Sequence, residues 1–553
     1  MTWPYKDTMP IDSAPETFIA GLTAVTDHIQ HRFSELNDSE PIPSRREIDA
    51  ALQALPSALP RSGLGVDATV HHLIKDITPG LLRGHAGSRF YGLVTGGVTP
   101  ASQLADILGT SYDESLQINF PDATMAVALE QRALDMVLDL LDIPAEWFKG
   151  RSVTTGATAS NIMGLACGRD ALLLQSPHLP EGYTIAEHGF PPHIATVGQS
   201  PSSVPAIKVL TVKAHGSILK AAAITGIGRA NVLDIPAATS EENPWGLAFD
   251  TIRLEEELCQ ADSLRQGVIV VVTLGEVNTG GFTPNIPGIE ALCRKYHAWL
   301  HIDGAFGGFA ALLPQYRHLV EEMKLADSLT LDAHKWLNVP YDTAMFYTRK
   351  ASDLIRSFGP SPRLGTPAYL QVHADSATAT VDVPDDVLKL REWLSGLTSP
   401  LNCGIENSRR FRALPLYAGL LEQGKAGYTD IIRRNCDFAQ RICAWLTDPA
   451  KGGKWYTLVN SVEDAANPAS SAKVPLNIVL FRGSHASCYP PSDMSSTTRL
   501  LHAINRQRLI YVTPTSWAGV GALRIAVSNW RTGLEGDGDF EAVITALSVA
   551  AHG

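Results

Sequence analysis

The 553-residue chain has no CxxC pair, and its seven cysteines, Cys167, Cys259, Cys293, Cys403, Cys436, Cys443 and Cys488, stand at irregular spacings. An odd, scattered set gives neither a disulfide framework nor a zinc-ligand pattern, and it fits a reducing compartment. No long basic run is present, and 45 basic against 57 acidic side chains leave a formal charge of −12, which argues against a nucleic-acid or anionic-membrane partner. The longest apolar run, "GVIVVVTLG", is far too short to cross a bilayer, and "MTWPYKDTMPIDSAPETF" at the start lacks an apolar leader segment. The expectation is a cytoplasmic protein with no membrane partner. Internal repeats are absent too.

What is present is the profile of a large globular enzyme: 45% hydrophobic residues, with 45 Gly and 35 Pro scattered along the chain. Residues 1–100 mix amphipathic stretches such as "PETFIAGLTAVTDHIQHRF" with proline breaks and read as an N-terminal helical arm. Residues 122–142 carry apolar side chains at helical spacing behind an acidic start, with Pro144 beyond the end, which predicts a helix. From about 150 to 345, short apolar runs ("RSVTTG", "AIKVLTV", "GVIVVVTLG", "AWLHIDG", "SLTLDAHKW") alternate with helical segments. Continuous Val/Ile-rich strands separated by helices predict an α/β core with a mostly parallel sheet covered on both faces. Residues 352–402 resist any element longer than a short helix and read as a lid or binding loop. Beyond 405, helical stretches precede the strand-like "PLNIVLF", "LIYVTPT" and "ALRIAVSN", which predicts a smaller α+β domain. The chain thus divides into an arm (1–100), a large domain (101–360) and a loop region with a small domain (361–553).

In an open α/β sheet, ligands bind beyond the carboxyl ends of the strands, and four loops there carry chemistry. "VTTGATASN" (153–161) ends a strand and opens a helix, so its amides and the Thr158 hydroxyl suit a phosphate, although such turns are common without a ligand. His215 directly follows "AIKVLTV"; alone it is more often structural. Asp303 ends "AWLHID" before Gly304, Ala305, Gly307 and Gly308, and is either a helix cap or a buried carboxylate beside a flat ligand. Lys335, in "LTLDAHKWLNVPYD", sits among apolar and aromatic neighbours that suggest burial, and burial lowers a lysine's pKa and makes its amine a nucleophile. A lysine to hold an aldehyde, an aspartate for a ring nitrogen, an imidazole for a ring face and a phosphate loop together suggest pyridoxal 5'-phosphate.

These residues bring the chain into a known family. It resembles the group II pyridoxal-phosphate-dependent amino-acid decarboxylases, the relatives of aromatic-amino-acid, histidine and glutamate decarboxylases. The resemblance runs from "RFYGLVTGGVTPASQLADIL" (89–108) through the four loops to "SRRFRALPLYAGL" (408–420) and "LRIAVSNWRT" (523–532); "HIDGAFGG" with "DAHKWLNVPYD" is its specific part. It implies a fold-type-I homodimer with active sites at the subunit interface and an L-amino acid as substrate. It further implies that Lys335 is the Schiff-base lysine, Asp303 the pyridinium partner and His215 the ring-stacking, carboxylate-facing residue. Ala305 would lie on the opposite ring face, Thr273 would support the His215 side, and Ala157, Thr158 and His334 would contact the phosphate.

Three departures from the family pattern bear on function. Asp332 stands two positions before His334 where many relatives have Asn, and its charge would repel a phosphate unless it points away. Leu93 and Val94 replace an aromatic pair of the substrate wall. Between Leu370 and Arg409 there is no tyrosine, although relatives carry a catalytic tyrosine on that loop; His373 and Trp393 are the rings found there. Simple α-decarboxylation to an amine, with His373 or His215 supplying the proton, stands first. Decarboxylation with oxidative deamination to an aldehyde is the rival within the same chemistry, and a silent scaffold of the same fold is the alternative outside it.

Overall fold

The computed structural model describes residues 15–175, 179–180, 183–189, 193–194, 204–361, 384–462, 473–491 and 494–552. The arm is helical, with α1 (Pro15–Ser34), α2 (Arg45–Ala54) and α3 (Gly65–His72). Ser44 caps α2 reciprocally: its hydroxyl accepts the Glu47 N–H and its own N–H donates to the Glu47 carboxylate at 2.7 Å. After α4 (Pro100–Tyr112) comes α5 (Ala126–Leu140), the helix predicted over 122–142. It starts later because Thr124 closes the preceding turn, its hydroxyl accepting the Ala126 N–H at 3.2 Å.

Seven strands form the central sheet: β1 (Gly150–Thr154), β2 (Ile207–Thr211), β3 (Val232–Asp234), β4 (Gly267–Thr273), β5 (Trp299–Asp303), β6 (Ser328–Leu331) and β7 (Ala344–Thr348). Their order is β1-β7-β6-β5-β4-β2-β3, and β7 alone runs against the rest. The period of two along β4 explains its Val/Ile composition. Val268, Val270 and Val272 pack on one face with Leu254 and Leu258 of α8 (Thr251–Leu264). Ile269 and Val271 pack on the other with Met163 and Leu165 of α6 (Ala157–Leu174) and Ile218 of α7 (Gly216–Ile224). Burying each such side chain contributes roughly 1.5–3 kcal/mol, so both faces must be covered for the strand to read as it does.

The four-residue helix α9 (Ala333–Trp336) follows β6 and carries Lys335. In the stretch predicted irregular, the described part holds a helix at Ala351–Phe358 and the eleven-residue α10 (Asp385–Ser395). Residues 362–383, including His373, lie outside the described residues. The 35-residue α11 (Ala413–Thr447) kinks at Gly424, whose φ of 56° suits glycine. Its first half packs Leu416 and Tyr428 into the core of the large sheet, and its second half packs Phe438 and Ile442 into a separate core. That second core belongs to an antiparallel sheet of β8 (Tyr456–Leu458), β9 (Ile478–Gly483), β10 (Thr513–Trp517) and β11 (Val520–Ala526), ordered β8-β9-β11-β10. "LIYVTPT" becomes strand only from Thr513. Arg409, in the stretch 408–420, makes a two-pronged buried ion pair with Glu130 of α5.

Candidate active site

The carboxyl ends of the parallel strands meet one cavity of about 940 Å³, within the range of small-molecule sites. β1 delivers the loop that opens α6, β2 the segment ending at His215, β4 Thr273, β5 Asp303 and β6 the turn to Lys335. All eight residues that the resemblance assigned to the cofactor line this cavity: Ala157, Thr158, His215, Thr273, Asp303, Ala305, His334 and Lys335. The stretch 89–108 packs against it from outside, and a Cβ on Gly96 would fall 1.9 Å from the Lys335 carbonyl oxygen. Leu93 and Val94 line the wall, as the resemblance implied.

Lys335 is less buried than its neighbours suggested, with 23% of its side chain exposed, because it reaches out of the sheet edge into the cavity. Its Nζ lies 3.6 Å from Asp332 Oδ2, and His334 Nδ1 lies 3.1 Å from Asp332 Oδ1. The Ala157 N–H donates to Asp332 Oδ2 at 3.4 Å. Burial raises the Asp332 pKa, against the pull of Lys335 and His334. Burial also lowers that of His334.

Asp303 is 6% exposed and its two oxygens are separately held. Oδ1 accepts the Ala305 N–H at 3.1 Å, and Oδ2 accepts Asn161 Nδ2 of α6 at 2.8 Å. His215 is the N-cap of α7, its Nδ1 accepting the Ser217 N–H at 3.2 Å, and burial lowers its pKa although Asp303 opposes this. Thr273 Oγ1 is buried without a hydrogen-bond partner among the described residues.

The model of the family described as "Pyridoxal-dependent decarboxylase conserved domain" matches residues 200–451, which include β2, β4, β5, β6 and Lys335. Residues 200–451 of the chain thus carry a pyridoxal-dependent decarboxylase domain. A tryptophan decarboxylase of Camptotheca acuminata is 23% identical over 523 residues, 94% of this chain and 90% of the relative. A phenylacetaldehyde synthase of a Rosa hybrid cultivar is 24% identical over 505 residues, 88% and 85% of the two chains. The crystal structure of Oryza sativa TDC with PLP and tryptamine superposes with a TM-score of 0.76, at 18% identity and 99% coverage of both chains. The fold is therefore that of the fold-type-I enzymes.

The cavity of this decarboxylase suits the family's cofactor, pyridoxal phosphate. The first-turn amides of α6 face it without intrahelical acceptors, a carboxylate and an amine stand across it, and the Thr273 hydroxyl awaits a partner. Asp332, the first departure from the family pattern, turns toward the start of α6: it accepts from the Ala157 N–H and is faced by Lys335 and His334. Residues not singled out in the sequence also line the cavity, among them Asn278, Tyr341, Trp517 and Arg524. Arg524 arrives on β11 from the small domain, where its Nη1 donates to the Val277 carbonyl at 3.0 Å. Its place in "LRIAVSNWRT" was the available signal.

Proposed function

We propose that this decarboxylase removes the α-carboxylate of an L-amino acid and releases the amine, with Lys335 as the amine that holds pyridoxal phosphate. What carries the proposal is the convergence of Lys335, Asp303, His215 and the start of α6 on one cavity at one sheet edge. Bound there, the cofactor supplies an aldehyde carbon to join to an amine and a ring that withdraws the electrons left when carbon dioxide departs. Asp303 is assigned to the ring nitrogen, where a fixed carboxylate keeps a proton on that atom. The assigned phosphate contacts are Ala157, Thr158 and His334. His215 is assigned to one ring face and the substrate carboxylate, Thr273 to the support of that side, and Ala305, small enough to admit a flat ring, to the other face.

A second reading, an aldehyde product, is favoured by the absence of tyrosine between Leu370 and Arg409 and by the aldehyde synthase among the relatives. Incubation with a panel of amino acids, recording carbon dioxide, amine, aldehyde, peroxide and oxygen uptake, tests both. Carbon dioxide from no amino acid would overturn the decarboxylase reading.

We further assign a homodimer, supported by apolar side chains left bare on α1 and α4, where Phe18, Ile19, Leu104 and Leu108 are all more than half exposed. The division into an arm, a large domain to about 360 and a small domain beyond it is likewise proposed, as is a cytoplasmic location. The seven free cysteines support the last, and among the described residues no helix is long and apolar enough to cross a membrane.

A further inference from the structure

A chain of hydrogen bonds runs beneath the cavity floor, and the chemistry of each partner fixes its direction. Because His215 Nδ1 accepts a backbone N–H, it carries no proton. The 2.9 Å contact between that nitrogen and Ser217 Oγ is therefore a donation from the hydroxyl. Ser217 Oγ in turn accepts Asn161 Nδ2 at 3.0 Å. The same amide nitrogen donates to the Asp303 carboxylate, which cannot donate, so Asn161 Oδ1 must face His301 Nε2 at 3.0 Å. Nε2 thus holds the His301 proton. Its Nδ1 accepts from Ser328 Oγ at 2.8 Å, and that oxygen receives Trp299 Nε1–H at 2.9 Å. Burial brings the His301 pKa down to about 4, so the neutral ring this pattern requires is the form present at neutral pH. Gly164, one turn beyond Asn161 on α6, makes the room: a Cβ there would lie 2.4 Å from His301 Cε1.

We propose that Asn161, Ser217 and His301 form a positioning relay that holds His215 as a neutral imidazole with its proton on Nε2. The proposal rests on the functional reading above, which puts His215 and Asp303 beside the cofactor. Nε2 makes no hydrogen bond among the described residues, so it is the donor left for a substrate carboxylate. The relay also excludes a role. A neutral imidazole that gave up its Nε2 proton would become an anion, and an imidazolium would need Nδ1, which two donors already occupy. His215 therefore anchors and does not protonate carbon. The charges facing it divide: Asp303 and Glu276 favour the cation, Lys335 and Arg524 oppose it, and burial outweighs both. One relay connects the two residues assigned to the ring, Asp303 and His215, through a single amide.

Nitrogen NMR of the apo protein carrying ¹⁵N-histidine reads the two ring nitrogens separately. His215 should keep Nδ1 unprotonated from about pH 8 down to pH 6, and in Ser217→Ala its midpoint should rise by about half a unit or more, since a donor to the neutral form is lost. Pyridoxal phosphate titrated into apo protein gives the second readout. His301→Leu should bind it about tenfold more weakly, whereas His301→Gln, whose amide donates to Asn161 and accepts from Ser328, should stay within about threefold of the parent. A proton on His215 Nδ1, an unmoved midpoint in Ser217→Ala, or equal binding by the Leu and Gln variants overturns the relay. If the Leu variant does not fold, Ser217→Ala decides. Lys335→Ala, run alongside, tests the functional reading separately: a variant that keeps the borohydride-reducible cofactor complex removes that reading, while the histidine spectra of apo protein still judge the relay.

Discussion

Two buried aspartates one strand apart, Asp303 and Asp332, are held in opposite ways. Asp303 ends β5 with one hydrogen-bond donor on each oxygen, both neutral and both set by rigid backbone or by α6. Asp332 follows β6 and is faced by the Lys335 ammonium and the His334 ring, with Oδ1 lacking a well-formed hydrogen bond and burial pushing its pKa up. The first carboxylate is saturated on the protein side and has its charge left for a ligand. The second is paired with the lysine that the proposed chemistry must take away. Asp303 is built to stay as it is; Asp332 is built into a corner that changes when the cofactor arrives.

The largest effect that probes this contrast is expected for Lys335→Ala. It should abolish the visible absorption of bound cofactor and lower turnover on the order of 10⁴-fold or more, the scale on which removal of a covalent participant acts. The protein should remain folded, because the side chain reaches into the cavity and has few packing partners to lose. Retained colour that borohydride fixes to the chain would move the assignment to another amine. Asp303→Asn should come next, with weaker cofactor binding and a loss of roughly 10²–10³-fold in kcat/KM, since ~1.4 kcal/mol is tenfold in rate. Near-parental turnover would mean that a different group faces the ring nitrogen.

Much of this contrast was legible before any coordinates. The period of two put Asp303 at the end of a strand whose alternate residues are apolar, and the Val/Ile runs predicted the parallel sheet whose carboxyl edge gathers the site. His301 was legible in part: two residues before Asp303, it shares that residue's face. Its partner was not, since Asn161 lies 140 residues away and meets it because α6 crosses the sheet at that point. The same limit hid Tyr341 and Arg524, which reach the cavity through a turn after α9 and a strand of the small sheet. The direction of Asp332 was left open because sequence gives its charge but not the Ala157 amide that donates to it.

The proton donor is the next, smaller effect. With the His215 proton committed, Tyr341 is the one tyrosine lining the cavity among the described residues, its ring 4.4 Å from that of His334. Burial raises its pKa, which keeps the phenol protonated at neutral pH. Tyr341→Phe should lower amine formation by about 10²-fold, the scale of one general acid, and raise the share of aldehyde and oxygen uptake. Tyr369 and His373, outside the described residues, are the controls: a loss of amine in Tyr369→Phe or His373→Ala, with Tyr341→Phe unchanged, would place the donor on that segment instead.

The smallest expected effect is also the most direct test of the two-aspartate contrast, and its sign is opposite. Asp332→Asn keeps an oxygen to accept the Ala157 N–H and removes the charge, so it should bind pyridoxal phosphate more tightly, by about tenfold or ~1.4 kcal/mol. The same substitution should stabilise the apo protein in a pH-dependent way. A carboxyl whose folded-state pKa lies above its unfolded value contributes most to stability below the unfolded value and loses that contribution as pH rises through the folded one. Asp332 is such a group, by burial first, so the parent gives up stability on the way from acid to neutral pH while the Asn variant does not. Melting curves of both apo proteins should therefore diverge upward from about pH 4, with the variant the more stable at pH 7. A variant that melts lower at neutral pH and binds cofactor more weakly would show that attraction to Lys335 outweighs burial, and that Asp332, like Asp303, is held for its charge.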